Sequence, residues 1–401
     1  MERVIGNRSV GFAGFCIGAL ALSLAVAPAA AGCPGSSMST ADGCKSKAAV
    51  ERRLQRIVDS SRDQNATKAA IARVDVGRST VLRTAIGQSE TGVPANPRMH
   101  FRIGSIAITN LTTLVLQLQD EGRLSLNDKL SRWFPGLPRA DQITVKMLGN
   151  NTSGYLDYAQ GNPEFIDTLF SDVFRQWTPD ELMDIALARG FACDPGTCFN
   201  YAHTNYILLS KIVTRLTGST RTRMKRRILA PLNLDQTRIS RLAPMPRPVL
   251  HAYIADRGPY EDSTSWSPSW TIGSGTVLTS TIDDVAKAAR PVFGGKLLSA
   301  RSRRQLVAPD NVGKGGQTRD FYFGLGLLAG GGWRMQNPQL NGYTAISGYL
   351  PARKLTIAVT ATNRLKAAKA DTNPSAIMFN RMAAYLAPGH PSPISHGPPS
   401  A

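Results

Sequence analysis

Residues 101–110 read FRIGSIAITN. Gly104 and Ser105 stand at the head of an apolar run, SIAITNLTTLVLQLQDEG, whose spacing predicts a buried helix closed by Gly122. On a helix, positions i and i+3 share a face, so the residue beside the Ser105 hydroxyl is Ile108. A hydroxyl at the head of a buried helix is well placed for chemistry. The hydrocarbon three positions on offers it no base.

Outward from this run the chain alternates recognisable elements. SKAAVERRLQRIVDSSRDQ (45–64) has helical spacing, and KAAIARVDVGRS with TVLRTAIGQS reads as two strands joined at Gly77-Arg78-Ser79. TPDELMDIALARG predicts a helix with Thr178 as N-cap and Gly190 as stop. TNYILLSKIVTRLTG continues a helical pattern to Gly218, KLTIAVTATN is a β-branched strand, and PSAIMFNRMAAYLA a terminal helix. No internal repeat is evident. Strands at both ends with helices between them predict one sheet built from both termini around a helical insertion. The proline-rich end, 389–401, is expected to be disordered.

Residues 1–31 have the form of an export signal: Arg3 and Arg8, an apolar stretch GFAGFCIGALALSLAVA, then small residues. A membrane anchor is the competing reading. Cleavage after Ala31 leaves Cys33, Cys44, Cys193 and Cys198, an even set that in an exported chain predicts Cys33–Cys44 and Cys193–Cys198. Pro195-Gly196 supplies a turn between the second pair. AAAGC is also a weak lipobox, and lipid on Cys33 would leave Cys44 unpaired. The segment 32–45 then leads into the main domain, 46–388.

The chain carries 47 Lys and Arg against 28 Asp and Glu, a net charge of +19. Many of these cations lie between Lys211 and Arg247, including Arg221–Arg227, where Asp235 is the one acid. Such a face suits an anionic envelope polymer or a lipid surface, or is simply solvated. An exported chain without an aromatic-basic module is not expected to bind nucleic acid. The five histidines show no ligand spacing with cysteines, and no phosphate-cradling glycine loop is present, so neither metal nor cofactor is expected.

FRIGS, the run from Asp120 to Tyr158 ending in NNTSGYLDY, the run from Asp194 to Gly218, and GYTAISGYLPARKLTIAVTATN recur in order. Together they resemble the serine β-lactamase and penicillin-binding-protein superfamily, in its branch of class C β-lactamases, D-alanyl-D-alanine carboxypeptidases and related esterases. The resemblance covers about residues 46 to 388. It implies an α/β (α+β) fold, a mainly antiparallel sheet flanked by helices and packed on an all-helical lobe, with the site in the cleft. It also implies a peptidoglycan-like peptide or small ester as ligand.

In that family the first motif is Ser-x-x-Lys, and a serine hydroxyl needs a neighbouring base. Here Ser105 is present and Ile108 replaces the lysine. The second motif, Tyr-x-Asn, reads Tyr201-Ala202-His203. A tyrosine has a free pKa of about 10 and needs nearby cations to act as a base. The third, Lys- or His-Thr-Gly, is matched to Tyr343-Thr344-Ala345, with the oxyanion donors expected from the backbone N–H groups of Ser105 and Ile346. All three motifs depart from the pattern, which predicts a catalytically impaired protein that binds a ligand or serves as a scaffold. The alternative is a rewired hydrolase in which His203, whose imidazole is mostly neutral at pH 7, serves Ser105 directly or through Tyr201.

Overall fold

In the computed structural model, which describes residues 33–34, 37–273, 275–370, 372–392 and 394, the two ends of the chain meet in one sheet. Helix α1 (Lys47–Gln64) starts behind Ser46, whose side chain accepts the Ala49 N–H. Strands β1 (Thr67–Val76) and β2 (Ser79–Glu90) form the expected antiparallel pair. Then follow α2 (Ile106–Asp120), α3 (Pro179–Ala188), α4 (His203–Thr217) and α5 (Ile282–Phe293). The chain returns through β3 (Trp333–Gln336), β4 (Gln339–Leu340), β5 (Tyr343–Leu350), β6 (Leu355–Asn363) and α6 (Pro374–Leu386).

The register closes the two termini onto each other. β5 pairs β6 from Tyr343↔Thr362 to Leu350↔Leu355, and β6 pairs β1 from Leu355↔Val76 to Asn363↔Thr67. On the far side of β5, β3 pairs through Gln336↔Ser347 and β4 through Gln339↔Thr344. Every pair in the sheet is antiparallel.

Alternation along the strands divides the core in two. Ala70, Ala72 and Val74 of β1 face Leu54 and Val58 of α1 and Phe379 and Met382 of α6. Ala69 and Ile71 face the opposite cluster, with α2 and α4. The helical spacing of α2 holds because it is wrapped on all sides: Leu111, Leu114, Leu116 and Leu118 are fully buried. Burying each contributes about 1.5–3 kcal/mol, which fixes α2 and therefore the residue at its head.

The helix α3 has the expected N-cap, extended to a capping box: Thr178 accepts the Glu181 N–H and Glu181 accepts the Thr178 N–H. Both expected disulfides are formed. Cys33–Cys44 clamps a small hairpin, Met38–Thr40 with Gly43–Lys45, whose turn donates from Ala41 N–H to the Tyr385 carbonyl. Among the described residues no helix is long and apolar enough to cross a membrane. The signal-like run 1–31 lies outside the described residues.

The tail expectation is corrected in its first part. Prolines cannot donate, yet this stretch docks through carbonyls and one apolar side chain: the Trp333 indole donates to the His390 carbonyl, and Ile394 is buried. Asn380 donates to the Ile394 carbonyl.

Candidate active site

Ser105 is the N-cap of α2, but its side chain makes no capping bond. A serine in that position ordinarily accepts an amide of the first turn, worth about 1 kcal/mol. Here the hydroxyl lies 3.0 Å from the Tyr201 hydroxyl instead. The preceding Gly104 has φ 48, and a Cβ on it would lie 2.6 Å from Pro338 Cβ. Only glycine lets the chain pass between α2 and the sheet edge at this point.

Tyr201 is held by a second layer. Asn151, itself at φ 61, accepts from the Ala202 N–H at 3.2 Å and from Asn205 Nδ2 at 3.0 Å, and donates to the Tyr206 hydroxyl at 2.6 Å. The Cys193–Cys198 loop is stitched to the same segment: Ala192 and Gly196 donate to Gly154 and Thr152 carbonyls, and Asn200 donates to the Asn151 carbonyl. The disulfide therefore sits on the loop that delivers Tyr201.

Where the family's lysine would stand, Ile108 is fully buried. A Cβ on Gly326 would come within 3.1 Å of Ile108 Cγ2, so the loop closes directly over this side chain. Burial pushes the Tyr201 hydroxyl far up, the bond to Ser105 offsets part of this, and the charge of Asp157 raises it further. Tyr201 is a neutral phenol at physiological pH.

His203 opens α4 and lies edge-on to Tyr201, ring centroids 5.4 Å apart. Its partner was not singled out from the sequence. Asp157, fully buried, accepts both the backbone N–H and Nδ1 of His203, the latter at 2.9 Å. Its other oxygen accepts from Ala159 N–H at 2.6 Å and Gln160 N–H at 2.7 Å. Burial alone would raise this carboxyl, but the His203 imidazole and these hydrogen bonds hold it below the usual carboxylate range. The signal available in the sequence was an acid set in the aromatic run Tyr155-Leu156-Asp157-Tyr158.

The third-motif assignment is corrected. Tyr343 is buried and donates to the Leu250 carbonyl at 2.6 Å; Thr344 Oγ1 lies 2.9 Å from Ser375 Oγ; Ile346 packs in the cluster shared with α1 and α6. β4 stands between them and Ser105. Ala345 donates to the Pro338 carbonyl, so backbone alternation turns the Ile346 N–H towards β6, away from the cleft. The segment that edges the cleft is Gln336-Asn337-Pro338-Gln339. Gln336 donates to the Gly326 carbonyl at 2.8 Å, and the alternation leaves the Gln339 N–H facing out from β5 at the edge that Gly104 abuts.

The structure thus brings Ser105, Tyr201 and His203 together and leaves Tyr343, Thr344 and Ile346 one strand away. Among the described residues no cluster of potential metal ligands occurs. The expected basic face is partly neutralised, since Arg223 and Arg227 both pair with Glu121.

A family model described as Beta-lactamase matches residues 54–379. The chain belongs to the beta-lactamase family. Within that family it is 23% identical over 279 residues to penicillin-binding protein 4* of Bacillus subtilis, covering 64% of this chain and 57% of that one. To penicillin-binding protein 4 of Amycolatopsis lactamdurans it is 31% identical over 176 residues, covering 42% and 44%. The chain spans about half the length of the curated relatives it matches. A D-stereospecific amidohydrolase from Streptomyces sp. has the same fold, with TM-score 0.67 and 24% identity over 81% of this chain and 98% of that one. This beta-lactamase-family chain therefore has the mixed fold and the penicillin-binding-protein likeness that its motifs imply.

Proposed function

We propose that this protein is a catalytically impaired beta-lactamase-family hydrolase relative that holds a carbonyl-bearing ligand in the Ser105 cleft. One observation carries the reading: Ile108 fills the position of the base beside Ser105 and is sealed under Gly326. Gln336, the other position where the family carries a cation, is a neutral amide bonded to a carbonyl. With Tyr201 held as a phenol, Ser105 has no amine beside it to take its proton, and Tyr201 has no adjacent cation to lower its pKa and make it a base. Losing a general base costs about 10² to 10⁴ in rate, and about 10⁶ where catalytic groups act as a unit.

The binding half of the site needs no side chain. The N–H groups of Ser105 and Gln339 would receive the oxygen of a carbonyl or carboxylate. A D-aminoacyl peptide or a small ester fits this chemistry, in keeping with the likeness to penicillin-binding proteins and to a D-stereospecific amidohydrolase. The same reading makes the protein an exported component of the bacterial cell envelope. The leader-like run 1–31 and the two disulfides support export. The Cys33–Cys44 bond supports a chain exported without lipid on Cys33, since one sulfur cannot carry both.

Intact-mass analysis after incubation with a reactive β-lactam, and separately with an activated ester, tests the proposal. No stable adduct is expected. A stoichiometric mass increase that Ser105→Ala abolishes would overturn it.

The Asp157–His203 pair favours a second reading. With Nδ1 held by a buried carboxylate, the imidazole is left with Nε2 as the nitrogen free of Asp157, which is the geometry of a base oriented by an acid. If this imidazole serves Ser105, esterase activity disappears in His203→Asn. If the site is silent, that substitution changes nothing.

A further inference from the structure

We infer that Arg62, Lys68 and Arg364 form a binding pocket for a doubly charged phosphate group, separate from the Ser105 cleft. The last turn of α1, the start of β1, the end of β2 and the residues after β6 meet at one corner of the sheet. Between them lies a cavity of about 250 Å³, lined by these three cations together with Gln88, Tyr260 and Leu365.

The three charges are almost uncompensated. Among the described residues Arg62 makes no hydrogen bond or ion pair, and the Lys68 ammonium rests on the Tyr253 ring at 4.3 Å with its N–H donors unused. Arg364 reaches Asp63 only at 3.9 Å, and Asp63 is 87% exposed. Some arginines elsewhere in the fold are paired, Arg73 and Arg83 sharing Asp283 and Arg257 pairing with Glu261, so what marks this corner is that its cations line one concavity. Three cations line the concavity, while the nearby carboxylates are drawn off, Asp63 lying exposed and Asp262 and Glu90 facing His251, so the wall presents positive charge suited to a phosphate group.

The chemistry of the wall narrows the ligand. Two guanidinium groups offer planar forks that match the oxygens of a phosphate, and Lys68 adds a point charge. The Tyr260 hydroxyl already donates to the Asn363 carbonyl at 2.6 Å, so its ring, with the exposed Leu365, forms an apolar side against which the organic part of an ester can lie. Lys68 sits on β1, and Gly104 abuts β4, three strand spacings away, about 14 Å. Binding here is independent of whether Ser105 reacts. The monoester can belong to a soluble metabolite or to a lipid headgroup such as phosphatidate.

Calorimetric titration of the full chain with inorganic phosphate, with acetate at equal ionic strength as the singly charged control, tests the pocket. Sedimentation with phosphatidylcholine vesicles, with and without phosphatidate, distinguishes the two sources. Arg62→Gln combined with Arg364→Gln is expected to weaken phosphate binding at least about ten-fold, since each substitution removes charge-assisted hydrogen bonds to the anion. Arg221→Gln with Arg226→Gln, which removes the same charge from the exposed face of the Arg221–Arg227 run, should leave it within about two-fold. Binding of phosphate alone supports a soluble ester, and added retention on phosphatidate vesicles that needs Arg62 and Arg364 supports a lipid. Absence of saturable phosphate binding, acetate binding as tightly as phosphate, or equal loss in the two double variants would each overturn the proposal.

Discussion

Asp157 and His203 are joined twice, because one carboxylate oxygen of Asp157 accepts both the backbone N–H and the Nδ1 of His203. The contact ties the start of α4 to the segment after Gly154 and sets the orientation of the imidazole beside Tyr201. A carboxylate at a helix N-terminus is also favoured by the helix dipole. Asp157 therefore stabilises the fold and orients the ring, and both effects can be measured.

Asp157→Asn should destabilise the protein by about 3 kcal/mol at neutral pH, because it leaves an amide N–H₂ facing buried donors. The Asp157 carboxyl lies below its ordinary range in the folded state, so its contribution is present above the unfolded value of about 3.9 and is lost as pH falls through the folded value. Urea denaturation should show the gap between wild type and variant constant near neutrality and closing below about pH 4. A gap that persists unchanged in acid would show that the carboxylate charge is not what stabilises the pair.

Gly104→Ala should cost about 2–4 kcal/mol, combining the left-handed backbone with the close approach of Pro338 Cβ. Pro338→Gly should recover the packing share but not the backbone share. Thermal denaturation of the single and double variants separates the two. Equal melting of Gly104→Ala and wild type would mean that β4 does not edge the cleft.

Restoring the family pattern tests whether the cleft is otherwise competent. Ile108→Lys alone places an ammonium in a sealed apolar position and should destabilise by about 3 kcal/mol without giving activity. Ile108→Lys with His203→Asn, Gln336→His and Pro338→Gly rebuilds the motif side chains on the strand that edges Ser105. That variant should acquire measurable acylation by an activated ester, read by intact mass. A folded but unreactive fourfold variant would mean that the cleft is shaped for a ligand the ordinary chemistry cannot use.

Replacing Cys193 and Cys198 by serine should lower stability by about 2 kcal/mol, as expected for so short a loop. Non-reducing peptide mapping of the purified protein should recover the two cysteines in one linked fragment. Free, alkylatable thiols in that material would remove the staple behind Tyr201.

What the sequence determined by itself was local or periodic. Thr178 and Glu181 stand three positions apart, and the leucines of α2 recur with a period shared by any buried helix, so caps and helices could be read without the fold. Strand alternation in the two terminal segments likewise placed β1 and β6, and Ser105 and Tyr201 followed from the resemblance to the family's motifs. What only the tertiary structure decided depends on residues far apart in the chain. Whether Tyr343 or Pro338 edges the cleft is a matter of one strand, and that strand is placed by contact with Gly104, which no local preference encodes. Asp157 finds His203 across 46 positions, and Arg62 meets Arg364 only because β6 pairs with β1. Local free energies select the elements, while the burial of both sheet faces selects the register, and the register decides which charges and hydroxyls meet.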